Sequence, residues 1–233
     1  HPSLCDGLIV ENKELRMKSN RAILAAFLLL FLPLPVRADG IFVEAEAFAD
    51  KGGWSVDQQF MDQMGSPYLL AHGMGVPVAD AQTTLAIPES GTWHVWVRTY
   101  NWTAPWTTLP GPGRFQVKIG GKTLKTELGC RGNEWEWQYA GSVKLKAGKG
   151  TMALHDLSGF DGRCDAVYLS TENVAPSATM EFRRRMLGLP DEPSVRASYD
   201  LVVAGGGISG MCAAVAAARR GRRGGVGVAA PGA

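Results

Sequence analysis

The sequence predicts a mainly β protein: a jelly-roll-like β-sandwich, then a linker, then a single strand, Gly-rich turn and helix. Three observations carry that reading. Across 40–170, short apolar runs recur between Gly, Pro, Asn and Asp with no helical period. The 233 residues include 29 Gly and 13 Pro, together about 18% where roughly 12% is usual, which suits turns better than a helical bundle. At 45% hydrophobic and 20% charged, the chain has the mixture of a packed protein, which excludes a disordered one. Its net charge of +2 conceals a split: +2 over 1–38, −4 over 39–175 and +4 over 176–233. No global charge pulls the chain toward nucleic acid.

The first segment reads as an address. The chain starts with His1, so residues 1–16 are expected to be upstream translation, with Met17 as the start. Lys18 and Arg21 then form a positive region, 22–32 is an unbroken apolar run of 11, and Val36-Arg37-Ala38 offers small residues for cleavage after Ala38. Residues 17–38 are therefore expected to be a signal peptide, and the protein exported, periplasmic or secreted. The apolar run falls short of the roughly 20 residues of a membrane span, so no permanent anchor is expected.

The second segment, 39–172, is the sandwich. Strands are expected at 41–48, 68–72, 83–87, 92–102, 114–119, 136–143, 151–156 and 164–170, with a further one near 122–127. Within 92–102, Trp93, Val95 and Val97 share the core face, while His94, Trp96, Arg98, Tyr100 and Trp102 share a partly solvated one. All seven Trp lie between Trp54 and Trp137. Trp54, Trp93, Trp135 and Trp137 are expected to pack between sheets. Trp102 and Trp106 flank a Thr-Ala-Pro loop and are the candidate exposed platforms, since an indole stacks on the C–H face of a sugar. Cys130 and Cys164 lie near Gly-rich turns and are either disulfide partners in an oxidising compartment or two separate thiols. No CxxC pair or His cluster points to zinc.

Four motifs in this segment carry a resemblance. Phe42-Val43-Glu44-Ala45-Glu46, Gly91-Thr92-Trp93-His94-Val95-Trp96-Val97-Arg98, Trp137-x-x-Ala-Gly141 and Asp165-Ala166-Val167-Tyr168-Leu169 occur in the order found in β-sandwich carbohydrate-binding modules, over about 130 residues. The segment resembles such modules, which implies a carbohydrate ligand. In them the early acids and the late Asp hold a structural calcium, which implies Glu44, Glu46 and Asp165 here. Calcium wants several hard oxygens, and residues two apart on a strand share a face; solvated strand carboxylates are the plainer alternative. A glycosidase with paired carboxylates is disfavoured, because nothing places those acids across a cleft.

Residues 173–198 read as a linker with one short helix over 180–187, and Arg183-Arg184-Arg185 as its solvated face rather than a nucleic-acid site. Residues 199–233 then open with a buried parallel strand over 200–204. Gly205-Gly206-Gly207-Ile208-Ser209-Gly210 and an Ala-rich helix over 211–220 follow, with Cys212 as a small core residue. This is GxGxxG where its mechanism needs it. Gly205 allows the turn, Gly207 lets backbone approach a pyrophosphate, Gly210 lets helix pack on strand, and the helix N-terminus favours the anion.

That segment resembles the N-terminal FAD-binding stretch of FAD-dependent oxidoreductases, and the whole chain resembles exported bacterial members with a carbohydrate-binding-like N-terminal domain. The resemblance implies a truncated Rossmann-type unit, FAD as cofactor held at Gly205, Gly206, Gly207, Ser209 and Gly210, hydride transfer through the flavin on a sugar or glycan-derived substrate, and a C-terminal catalytic domain as missing partner. It assigns no catalytic residue. The departure is that no Asp or Glu follows Asp200, whereas such a fold ends its second strand on an acid that binds ribose. The Gly/Arg/Ala tail resembles a frame error, and 226–230 is at most a stub of that second strand. The expectation is an incomplete gene product, inactive as it stands. The alternative is a non-catalytic, calcium-braced carbohydrate-binding module.

Overall fold

The computed structural model describes residues 40–190 and 198–227. The expected signal peptide, the residues before it and the last residues of the tail lie outside the described residues. The chain divides into two compact units, one of residues up to 59 with 67–175, the other of 60–66 with the residues from 176 on.

The first unit is a sandwich of antiparallel sheets. Its strands are β1 (Ile41–Glu44), β2 (Ser55–Asp57), β3 (Tyr68–His72), β4 (Ala81–Ile87), β5 (Gly91–Thr99), β6 (Phe115–Ile119), β7 (Lys122–Thr123), β8 (Glu136–Leu145), β9 (Gly148–Asp156) and β10 (Phe160–Ser170). The six-stranded sheet runs β2-β3-β10-β5-β8, with β1 also paired to β10; the four-stranded sheet runs β4-β9-β6-β7.

Register decides which side chains share a face, because directly opposed residues point the same way. Val43, Val167 and Val97 oppose one another, as do Ile41, Leu169 and Val95, and these rows face the core. From the other sheet Phe115, Val117, Ile119, Met152, Leu154 and Leu85 meet them, with Trp54 edge-on to Phe115 at 5.5 Å. Each such side chain contributes about 1.5–3 kcal/mol by leaving water. The alternate rows make the outer face: Phe42, Tyr168, Trp96 and Tyr139 in one, Glu44, Ala166, Arg98 and Trp137 in the next.

Several expectations need correction. The strand expected over 41–48 stops at Glu44, because Ala45–Ala47 form a 3-10 turn that takes Ala45 into the core. The strand over 92–102 ends at Thr99, so Trp102 lies in the following loop. Strand β2 had no signal, being three residues with two exposed. Trp54 and Trp93 are core, but Trp135 and Trp137 are half-buried against aromatics of the outer face, since Trp137 opposes Arg98. Cys130 and Cys164 are both free and buried, so no disulfide links them. Burial pushes the Cys164 thiol well up, with Asp165 and Glu46 adding to the effect.

The second unit holds α1 (Met61–Met64), α2 (Met180–Met186), β11 (Leu201–Ala204), α3 (Ile208–Arg219) and β12 (Gly224–Gly227). Thr179 caps α2 by accepting the Phe182 N–H at 3.3 Å. The basic triplet is not a solvated face throughout: Arg183 is buried and donates to Met64 O at 3.0 Å and to Ser66 Oγ. Strands β11 and β12 are parallel, with α3 as their crossover. Strand β11 is not buried as its composition predicted. Val202 is 67% exposed, because among the described residues β12 is its one sheet neighbour. Cys212 is likewise exposed rather than core. Among the described residues no helix is long and apolar enough to cross a membrane.

Candidate functional site

The loops after β3, β5 and β9 gather at one end of the sandwich. The 100–114 loop after β5 brings Trp102 beside the first residue of β10. The Trp102 indole N–H donates to Phe160 O at 3.1 Å, and its ring stands edge-on to Trp106 at 6.1 Å. The Arg163 guanidinium lies over the Trp102 ring, 5.6 Å from its centre. Arg163 is buried and donates to Asp161 O at 2.9 Å. Its charge and the Asp57 carboxylate both bear on the buried Tyr68 hydroxyl.

This network sets the local electrostatics. Burial pushes the Tyr68 hydroxyl up to about 12, and the neighbouring Asp57 carboxylate adds to it against the opposing Arg163 charge. Burial works against ionisation of Asp57, yet the backbone N–H of Gln59, the Tyr68 hydroxyl and the Gln58 N–H outweigh it and hold the carboxyl below its ordinary range. Tyr68 also packs against Trp135 at 5.0 Å, and Trp135 stacks on Tyr100 at 5.6 Å. Trp102 is thus a half-buried, braced ring, whereas Trp106 is 75% exposed and free to meet a ligand.

Next to this pair lies a cavity of about 390 Å³, lined by Asn101, Thr107, Thr108, Cys130, Arg131 and Asn133 among others. Its amide, hydroxyl and guanidinium groups suit a polyhydroxylated ligand. Asn101 is buried and uses its Oδ1 to accept from the Thr103 N–H and hydroxyl, which fixes the loop at the cavity floor. Sequence reasoning reached Trp102 and Trp106 but not Arg163, Tyr68 or Asp57, which are more than 30 residues away and carry no spacing signal.

The expected calcium ligands are not assembled as a trio. Glu46 sits in the 3-10 turn rather than on a strand, so the face it was to share with Glu44 is lost. Asp165 is the unmatched residue of a bulge in β10 and is fully buried, with Arg98 Nη1 at 3.5 Å from its carboxylate. Glu46 and Asp165 both bear on Cys164, but among the described residues no three His, Cys, Asp or Glu side chains form a group able to hold a metal ion.

The Gly-rich turn has the backbone that a phosphate cradle requires. Gly205 has φ +108, Gly207 caps α3 with open space where a side chain would stand, and a Cβ on Gly210 would lie 2.1 Å from Gly205 O. Helix α3 starts three residues earlier than expected, which puts Ser209 and Gly210 in its first turn. The backbone therefore fits a pyrophosphate. The acid that would hold ribose is absent from the sequence beyond Asp200.

A scan against models of known protein families finds no match, and a search of the curated proteins finds none. Solved structures with a similar fold include the GH26-CBM35 β-(1,4)-mannanase of Podospora anserina, at 18% identity and TM-score 0.47 over 60% of this chain and 29% of that one. A family 35 carbohydrate-binding module from Clostridium thermocellum matches at 17% identity and TM-score 0.46, over 58% of this chain and 100% of the module. A CBM35 from Cellvibrio japonicus Abf62 matches at 18% and 0.42, over 56% and 93%. This chain spans under a third of the mannanase.

Proposed function

We propose that residues 40–175 form a non-catalytic carbohydrate-binding module whose ligand meets the loop end at Trp106. The observation that carries this reading is one exposed indole, held beside a braced second indole, next to a polar cavity. An exposed Trp offers a flat apolar surface to sugar C–H groups, while Asn133, Thr107 and Arg131 offer hydrogen bonds to hydroxyls. The ordered motifs from Phe42 to Leu169 support the same reading. The test is a glycan array probed with the full chain and with Trp106→Ala. The reading expects a defined set of bound glycans and at least a tenfold loss in the variant at unchanged thermal midpoint. An array without hits, or equal binding by the variant, contradicts it.

A second reading rests on the turn at Gly205–Gly210. The parent protein is an exported FAD-dependent oxidoreductase, and 199–233 is the front of its dinucleotide-binding unit. The N–H groups of Gly206 and Gly207 and the first turn of α3, with Ser209, would hold the pyrophosphate; Gly210 lets the helix pack. Bound flavin supplies hydride transfer. The reading expects a longer form of the protein to retain FAD through desalting and Gly207→Asp to abolish that retention; a colourless protein contradicts it.

A further inference from the structure

Among the described residues of the sandwich unit seven large apolar side chains are exposed, and five of them sit at the loop end: Met74 at 84%, Trp106 at 75%, Leu109 at 71%, Val76 at 68% and Phe160 at 49%. They belong to two loops and to the first residue of β10, which touch one another. The Gly73 and Gly75 N–H groups both donate to Gly159 O, at 3.0 and 3.2 Å, and a methyl group on Gly75 would stand 3.1 Å from the Phe160 ring. Phe160 O holds the Trp102 indole, and Trp102 meets Trp106. A soluble domain keeps such side chains scattered, so their concentration at one end marks a contact surface.

We propose that this end docks on a lipid bilayer surface, with Met74, Val76, Phe160, Trp106 and Leu109 entering the interface. Two further features favour lipid over a flat protein partner. Most backbone N–H groups of the 73–78 and 158–160 segments already have hydrogen-bond partners, which lowers the cost of entering an apolar medium. Val76 donates to Gly73 O at 3.0 Å, while Val78, Ser158 and Gly159 all donate to the Asp156 carboxylate at 2.9–3.1 Å, and Phe160 donates to Ser158 Oγ. Polar side chains at the base of the tips are also paired. His72 Nδ1 lies 2.5 Å from Asp161, and Arg114 pairs with Glu127 at 3.3 Å. Over 39–175 the net charge of −4 disfavours anionic headgroups, so the surface that fits is zwitterionic. A Trp at the rim suits the boundary between headgroup and acyl chain. The inference shares Trp106 with the carbohydrate reading and is separated from it by Met74 and Val76, which present no flat ring to a sugar.

Sedimentation with vesicles of pure phosphatidylcholine, carrying no glycan, tests it on the full chain. The wild-type chain is expected to pellet with vesicles. Met74→Ser/Val76→Ser is expected to lose at least tenfold in partitioning while keeping its thermal midpoint and its glycan-array pattern. A wild-type chain that stays in the supernatant overturns the proposal, as does a double variant that partitions undiminished. Loss of array binding in that variant, with no vesicle binding by the wild type, would make the tips a glycan platform instead.

Discussion

Arg163 holds its guanidinium 5.6 Å from the centre of the Trp102 ring while the Trp102 indole N–H is fixed on Phe160 O, so the ring is set both from its face and from its edge. A ligand-binding loop held this way loses little freedom when it binds. Arg163→Met keeps apolar bulk but removes the charge above the ring. It is expected to weaken glycan binding by about tenfold and to shift the tryptophan emission. Arg163→Lys should recover part of both. Unchanged emission and affinity in Arg163→Met would remove Arg163 from the binding architecture.

The Tyr68 hydroxyl gives the sandwich an alkaline limit. Its native pKa of about 12 lies above the unfolded value near 10, so the folded state holds the proton more tightly. The associated stability is complete below pH 10 and is lost as pH rises through 12, amounting to roughly 2–3 kcal/mol. Urea unfolding at pH 8, 10 and 11.5 should show this component in the wild type, and Tyr68→Phe should lack it.

Asp165 and Arg98 form a buried pair, with side-chain exposures of 0% and 9%. Removing one partner leaves the other charged and desolvated. Asp165→Ala is expected to cost about 3–5 kcal/mol in urea unfolding, and the double variant Asp165→Leu/Arg98→Met to recover a large share. A loss in the double variant equal to the sum of the single ones would show that the pair is not the relevant unit.

Gly159 joins the loop end together. It has φ +66, and a Cβ there would lie 2.1 Å from Val76 O. Gly159→Ala is expected to destabilise the sandwich by about 2 kcal/mol or more and to weaken vesicle binding. Gly91→Ala, with nothing within 4 Å of its Cβ, serves as the near-neutral control.

The sandwich was legible because its signals are local. The alternation of Trp93, Val95 and Val97 is a property of neighbouring residues, and all three are core. What failed depended on partners distant in sequence. Glu46 left its strand because Ala45 is drawn into the core through a 3-10 turn. Trp137 left the core because its register sets it opposite Arg98. Arg183 was read as solvated, since the carbonyl of Met64 that receives it is more than 100 residues away. At the site, the exposed ring of Trp106 followed from its Thr-Ala-Pro loop. The setting of Trp102 by Arg163 and the Phe160 carbonyl joins the loop after β5 to β10, and no single stretch of sequence contains it.

The central claim is that the ligand meets the exposed ring of Trp106. The most direct measurement is the tryptophan fluorescence of the full chain, titrated with the oligosaccharide of the best array hit, in wild type and in Trp106→Phe. The account predicts a saturable spectral change in the wild type that is largely absent from the variant, with affinity reduced severalfold because Phe retains only part of the stacking surface. A spectral change of equal size and midpoint in both proteins would place the ligand elsewhere and contradict the account.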